Sequence, residues 1–314
     1  MKTNEIYQSV TDTIINLLES QLENWNRPWI AFGQDNDFAR NADSRRYYRG
    51  VNQFLLSFVM LHKGYFKNAW MTFNQVKELG GHVLKGEKAA PVIFYKTAYL
   101  DGYSKYVPVK QIEGRSRDEL RGAGLTDIPV LKLFHVFNVA QTEGLDPAFY
   151  EVVPQEPLKD FEKDERAEKL ILDTGAHIEI TESNRAYYDR AADKIRLPLR
   201  EQFRGQTEPF YGTALHELGH WTGHPSRLNR EFGLDFGDPA YAKEELVAEL
   251  CSAFCCAALG FSKTITDNSA YIKHWLGILK ADNKAVVRAS AQAQKAADLI
   301  LEGTQYQIAR PEEP

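Results

Sequence analysis

TALHELGHWTGH, residues 213–224, decides how the second half of this chain is read. It holds three of the eight histidines, two of them flanking a glutamate as His216-Glu217-Leu218-Gly219-His220. Residues four apart on an α-helix share a face, so both imidazoles can reach one ion. Glu217 projects beside them. In hydrolases with this spacing, such a glutamate takes a proton from the water held by the metal and later passes one to the leaving group. Zn2+ makes that water a nucleophile by lowering its pKa to roughly 7. The plainer reading is an amphipathic helix with polar residues on one side. Context argues for the metal: a strand-like KIRLP precedes the stretch and a glutamate-rich helix follows it.

A catalytic zinc needs a third protein ligand and an open position. His224 continues the four-residue series, but Gly223 and Pro225 flank it and end the helix. The better source is Glu244-Glu245-Leu246-Val247-Ala248-Glu249, where Glu245 and Glu249 share a helix face. The expected set is His216, His220 and Glu245 around Zn2+ or another divalent transition metal. Glu249 would then orient a ligand histidine through its remote N–H. The reverse assignment of Glu245 and Glu249 fits the spacing as well. Tyr211, Tyr241 and His224 are all candidates to polarise a substrate carbonyl.

The net charge of −5 conceals an asymmetry. Residues 1–150 carry 18 Lys and Arg against 16 Asp and Glu, and the remainder carries 20 against 27. Between residues 40 and 96, ten cations face three acids. Aromatics are interleaved with them in RRYYRG (45–50), GYFKNAW (64–70) and FYK (94–96), with Trp25 and Trp29 upstream. Cations that track a backbone and rings that stack on bases are what single-stranded nucleic acid requires. Arg45, Arg46, Tyr47, Tyr48, Arg49, Lys67, Trp70, Lys85 and Lys88 are the candidate contacts. The competing reading is equally physical: strand aromatics are commonly core, and lysines are commonly just solvated. Nothing here encodes base edges, so binding is expected to be sequence-tolerant and salt-sensitive.

The length allows two domains with independent cores. Residues 1–150 read as α+β with a small antiparallel sheet. Helices are expected over about 3–24, over VNQFLLSFVMLHK and over FNQVKELG capped by Thr72, and a hairpin from HVL and PVIFYKTAYL. SKYVPVK and LKLFHVFNVA read as further strands. The Pro- and charge-rich stretch 151–165 reads as a linker, and 166–314 as a helix, a strand, a hairpin and four more helices. The first twenty residues lack the apolar core of a secretory signal, and no stretch is long enough for an apolar membrane span. Cys251, Cys255 and Cys256 crowd one helix and read as packed thiols of a reducing compartment, so a cytoplasmic protein without a membrane partner is expected.

NRPWIAF, RRYYRGVNQFLL, GYFKNAWMTFNQVKELGGHVLKGEKAAPVIFYK, ALHELGHWTGHPSRLNR and YAKEELVAEL, in that order, strongly resemble the ArdC-type antirestriction proteins of conjugative plasmids. The N-terminal module of that family also occurs in TraC-type conjugative primases. The resemblance implies a single-stranded-DNA-binding domain at 1–150 and a zincin-like metallopeptidase domain at 166–314. It implies protection of incoming plasmid DNA from the recipient's restriction enzymes, with single-stranded DNA as one partner. A host restriction or defence protein would be the peptidase target. It carries over onto His216, Glu217 and His220 by residue, and onto the EELVAE block as a segment. Past residue 160 the elements are those of a zincin, so priming is not expected. Two other readings compete: a DNA-coating protein whose metal is structural, and a metalloprotease whose basic half recognises an acidic protein.

Overall fold

Apolar spacing builds the first helices as expected. Helix α1 (Thr3–Leu22) buries Ile6, Val10, Ile14, Leu17 and Leu18 along one stripe. The computed structural model describes residues 3–22, 38–151, 163–203, 207–233, 238–261, 269–302 and 304. Trp25, Trp29 and most of the expected linker lie outside them. After strand β1 (Arg40–Asn41), helix α2 (Val51–Lys63) stops at Gly64, whose φ of 67° forms a left-handed cap. Strand β2 (Ala69–Met71) leads into α3 (Phe73–Glu78), opened by a reciprocal capping box between Thr72 and Gln75.

Strand β3 (His82–Val83) departs from the expected hairpin. It does not pair with β4 (Ala90–Leu100) but with the distant β6 (Thr142–Glu143). Gly81 explains the choice: its backbone lies so close to Leu145 that a Cβ there would sit 2.6 Å from that side chain. SKYVPVK is not a strand either. It makes one bridge, Leu100 to Tyr106, and then a 3-10 turn at Val109–Gln111, where Pro108 has no N–H to give a ladder. The polar excursion beyond it forms a short helix, α4 (Arg117–Gly122). Strand β5 (Thr126–Asn138) then runs antiparallel to β4 from Leu100↔Thr126 to Ala90↔Val136. The sheet order is β1-β2-β5-β4, antiparallel except for the β1–β2 pair.

In the second half, Asp164 caps α5 (Glu165–Asp173). Strands β7 (His177–Thr181), β8 (Tyr187–Asp189) and β9 (Lys194–Pro198) form a sheet in the order β7-β9-β8, so β8 is an edge. Helices α6 (Thr207–Trp221), α7 (Pro239–Leu259), α8 (Ser269–Ala281) and α9 (Ala285–Ile300) complete it. The three cysteines of α7 are buried thiols. No helix among the described residues is long and apolar enough to cross a membrane.

The halves share part of their core, and the first half also holds two apolar clusters of its own. One apolar cluster joins Ile6, Val10, Phe54, Leu55 and Phe58 to Leu276, Leu279, Val286 and Ala293. Polar contacts follow the same seam. Thr11 Oγ1 donates to Asn283 O at 2.8 Å, Gly50 N donates to Gln294 Oε1 at 3.0 Å, and Arg49 pairs with Asp298. Within the second half, α6 and α7 cross at Gly219. A Cβ on Gly219 would lie 3.0 Å from Ala248 Cα and 3.2 Å from its carbonyl oxygen. Ser252 Oγ also donates to Gly212 O at 2.8 Å across this crossing.

Two outcomes follow. Residues 1–150 expressed alone expose the seam; they should bind ANS and unfold without a cooperative transition, whereas the intact chain unfolds cooperatively. Gly219→Leu should overpack the crossing and cost about 1–3 kcal/mol or more in chemical denaturation.

Candidate metal centre

Helix α6 carries His216 and His220 one turn apart on the side that faces α7. Their Nε2 atoms converge to 3.2 Å. From α7, Glu245 brings Oε2 within 3.6 Å of His216 Nε2 and Oε1 within 3.5 Å of His220 Nε2. One ligand atom from each of the three lies within 4.8 Å of the others. Two imidazole lone pairs and a carboxylate held this close repel one another unless a proton or a cation sits among them. The donor set, two nitrogens and one oxygen on rigid helices, suits a divalent transition metal.

The remote ring nitrogens face carboxylates as well. Glu249 Oε1 lies 3.5 Å from His216 Nδ1, too loosely aligned for a hydrogen bond. Glu244 Oε1 lies 3.2 Å from His220 Nδ1. Thus Glu245 stands at the converging nitrogens and Glu249 behind one ring. Glu244, behind the other, has no counterpart in the motif reading. Sequence reasoning also missed Arg230, which holds Glu244 from below. The available signal was the run RLNR after the helix, where a buried arginine needs a buried acid.

Charges in the cluster are strongly coupled. Burial works against a charged His220, but Glu244 and Glu245 outweigh it and hold the imidazole up at about 10. Burial also works against ionised Glu245, yet His216 and His220 win and keep its carboxyl well below the ordinary range. A proton on these groups and a divalent cation compete for the same electron pairs. Glu217 behaves differently: burial lifts its carboxyl above the ordinary value, against the pull of both histidines and of the Tyr188 backbone. Tyr188 belongs to the edge strand β8, which packs beside the helix that carries Glu217.

Other candidates separate clearly. Tyr211 is buried, and its hydroxyl is committed to Glu168 and to the Asp164 backbone N–H, so it cannot polarise a carbonyl. His224 turns to Ser226, whose Oγ is 2.7 Å from its Nδ1, and stands outside the metal trio. Tyr241 lies half-buried one turn before Glu245 on α7.

In the basic half, four of the nine candidate contacts serve the fold instead. Trp70 is 0% exposed and donates its indole N–H to Asn68 Oδ1 at 2.8 Å, so no ring face is left for a base. Tyr48 is buried beside it in the same cluster. Arg49 pairs with Asp298, and Lys67 Nζ donates to the carbonyls of Phe149 and Glu151 at 3.2 and 2.6 Å. Arg45, Arg46, Tyr47, Lys85 and Lys88 are exposed. The sheet adds rings that a linear reading does not bring together. Phe94 and Phe134, 44% and 41% exposed, meet edge to face with centroids 5.5 Å apart. Lys132 stands opposite Phe94 in the β4–β5 register, on the same face as Phe134 and Lys96.

Residues 4–137 match the N-terminal domain of anti-restriction factor ArdC, and residues 165–292 match the zincin-like metallopeptidase family. The metal-free crystal structure of antirestriction ArdC from plasmid R388 is similar at 33% identity and a TM-score of 0.73, over 94% of this chain and 96% of that one. Its Mn(II)-bound form is similar at 33% identity and a TM-score of 0.70, over 94% and 97%. A DNA primase TraC of Escherichia coli is 32% identical over 96% of this chain, so the likeness runs through both halves; the chain spans 27% of that primase's length. An uncharacterised protein of Sinorhizobium fredii is 34% identical over 94% of this chain and 91% of its own length. The chain belongs to the ArdC antirestriction family, in which an ArdC N-terminal part is joined to a zincin-like part with a divalent-metal site.

Proposed function

We propose that this protein is a plasmid-borne antirestriction factor of the cytoplasm that binds single-stranded DNA and cleaves a protein met on that DNA with a zinc-dependent peptidase. On this reading residues 1–150 handle the DNA, residues 166–314 carry the chemistry, and the target is a restriction or defence component. The observation that carries the peptidase reading is the convergence of His216, His220 and Glu245 beside a buried Glu217.

Zn2+, held by these three residues, would supply Lewis acidity at neutral pH. The chain supplies the rest. Glu217 takes a proton from the attacking water as the C–O bond forms, and delivers it to the amine as the C–N bond breaks. Its burial, by raising the carboxyl pKa, moves it toward the range in which one group both accepts and donates. An extended peptide laid along the outer edge of β8 would lie next to Glu217, paired through main-chain hydrogen bonds. Tyr241 is the remaining candidate to steady the carbonyl oxygen. For DNA, the supporting features are the exposed Arg45, Arg46, Tyr47, Lys85 and Lys88, and the Phe94–Phe134 face with Lys96 and Lys132.

Glu217→Gln should abolish peptide cleavage while Zn2+ uptake and oligonucleotide binding persist; undiminished cleavage refutes the assignment. If the same variant still protects DNA in a conjugation assay, protection rests on coating and not on catalysis. Glu245→Gln should lower Zn2+ affinity far more than Glu249→Gln, as read by competition with a chromophoric chelator; the opposite order reverses the two roles. Lys132→Ala and Phe134→Ala should weaken single-stranded oligonucleotide binding in fluorescence anisotropy. The lysine variant alone should flatten the slope of log affinity against log salt, by about 0.7.

A further inference from the structure

Behind the proposed metal centre lies a buried ion pair that no peptide, metal or DNA touches in the reading above. Arg230 and Glu244 have side chains only 5% and 4% exposed. Their contact is two-pronged: Arg230 Nε donates to Glu244 Oε2 at 2.9 Å and Nη2 donates to Oε1 at 2.7 Å. The guanidinium is saturated further. Nη1 donates to Thr222 Oγ1 at 2.8 Å, and Nη2 to the carbonyl of Gly219 at 2.7 Å. That carbonyl belongs to the last turn of α6, where a cation also meets the negative end of the helix dipole. Space for this arrangement comes from Gly223, where a Cβ would lie 2.9 Å from Arg230 Nη2 and 2.5 Å from the Phe232 ring.

Packing alone does not call for such a pair. Two apolar side chains of similar volume would fill the site at no desolvation cost, and buried ion pairs are often neutral or costly to stability. What the pair supplies is direction. Glu244 Oε1, already held by Arg230, is the atom that faces His220 Nδ1 at 3.2 Å. A carboxylate fixed at that point keeps the proton on Nδ1 and leaves the Nε2 electron pair for the other face of the ring.

We propose that Arg230 and Glu244 are a positioning pair: Arg230 pins the Glu244 carboxylate, which sets the tautomer and the ring angle of His220 so that Nε2 points at the metal. The inference rests on the metal-site reading but concerns residues that bind no metal themselves. Glu249 has the corresponding place behind His216, but at 3.5 Å and without hydrogen-bond geometry. The two histidines are therefore not equally constrained, and His220 is the preset one.

The test compares Zn2+ affinity, by chelator competition on the full chain, for the wild type, Glu244→Gln, Arg230→Lys and the double variant Arg230→Met with Glu244→Gln. The double variant removes both charges together, so no lone ion is left buried and folding is preserved. Asp193→Asn is the control; Asp193 pairs with Arg227, three residues before Arg230, but no contact joins it to His220. Affinity should fall roughly 10–100-fold in Glu244→Gln and in the double variant. Affinity should also fall in Arg230→Lys, because one ammonium cannot span both carboxylate oxygens. The control should bind as the wild type does. Wild-type affinity in the double variant overturns the proposal. If the wild type itself takes up no Zn2+, the metal reading fails, and nitrogen-15 NMR of His220 decides this one separately. A slowly exchanging Nδ1–H present in the wild type and lost in the double variant supports the pair; its presence in both overturns it.

Discussion

The crossing of α6 over α7 at Gly219 is the constraint on which the rest of the second half depends. Helices usually pack 8–10 Å apart, set by the side chains at the contact. Here one partner has no side chain, and the other is Ala248. That approach lets short carboxylates reach imidazoles on the opposing helix. It also sets two pairs at once. His216 and His220 are one turn apart on α6, and Glu245 and Glu249 are one turn apart on α7. Both pairs repeat with the helical pitch, so a single contact fixes the register of both. The price of this concentration of charge is met inside the fold, where acids surround the histidines and Arg230 compensates one of them.

What was legible in the sequence was mostly local. The spacing of His216, Glu217 and His220 needs only the helical period, and the shared face of Glu245 and Glu249 needs nothing more. Thr72 and Gly64 act within a turn of their own positions, and the helices they bound appear where patterning puts them. The illegible parts depend on distant partners. Glu244 is adjacent to Glu245, and neighbours on a helix point about 100° apart, so only the return path of the loop carrying Arg230 gives it a role. β3 joins β6 because of Gly81 and Leu145, which are far apart in the chain.

The basic half teaches a related point about composition. Its run of cations and rings is real, but a linear window cannot separate surface from interior. Trp70 and Tyr48 sit among Leu56, Met60 and Val92. Arg49 reaches the last long helix. The exposed rings that lie together, Phe94 and Phe134, come from different strands and become neighbours only through the β4–β5 register. Alternation along each strand hints at this; pairing is what makes it a face.

The seam between α1, α2 and the final helices has a consequence for how the protein is made. Helix α1 packs on α8 as well as on α2, β4 and β5, and α8 is made long after the other three. Until α8 is made, the part of that apolar stripe facing it stays uncovered. Contacts this distant in sequence close slowly and leave sticky intermediates. The part of the core that joins the two ends of the chain can therefore close only after α8 has been made.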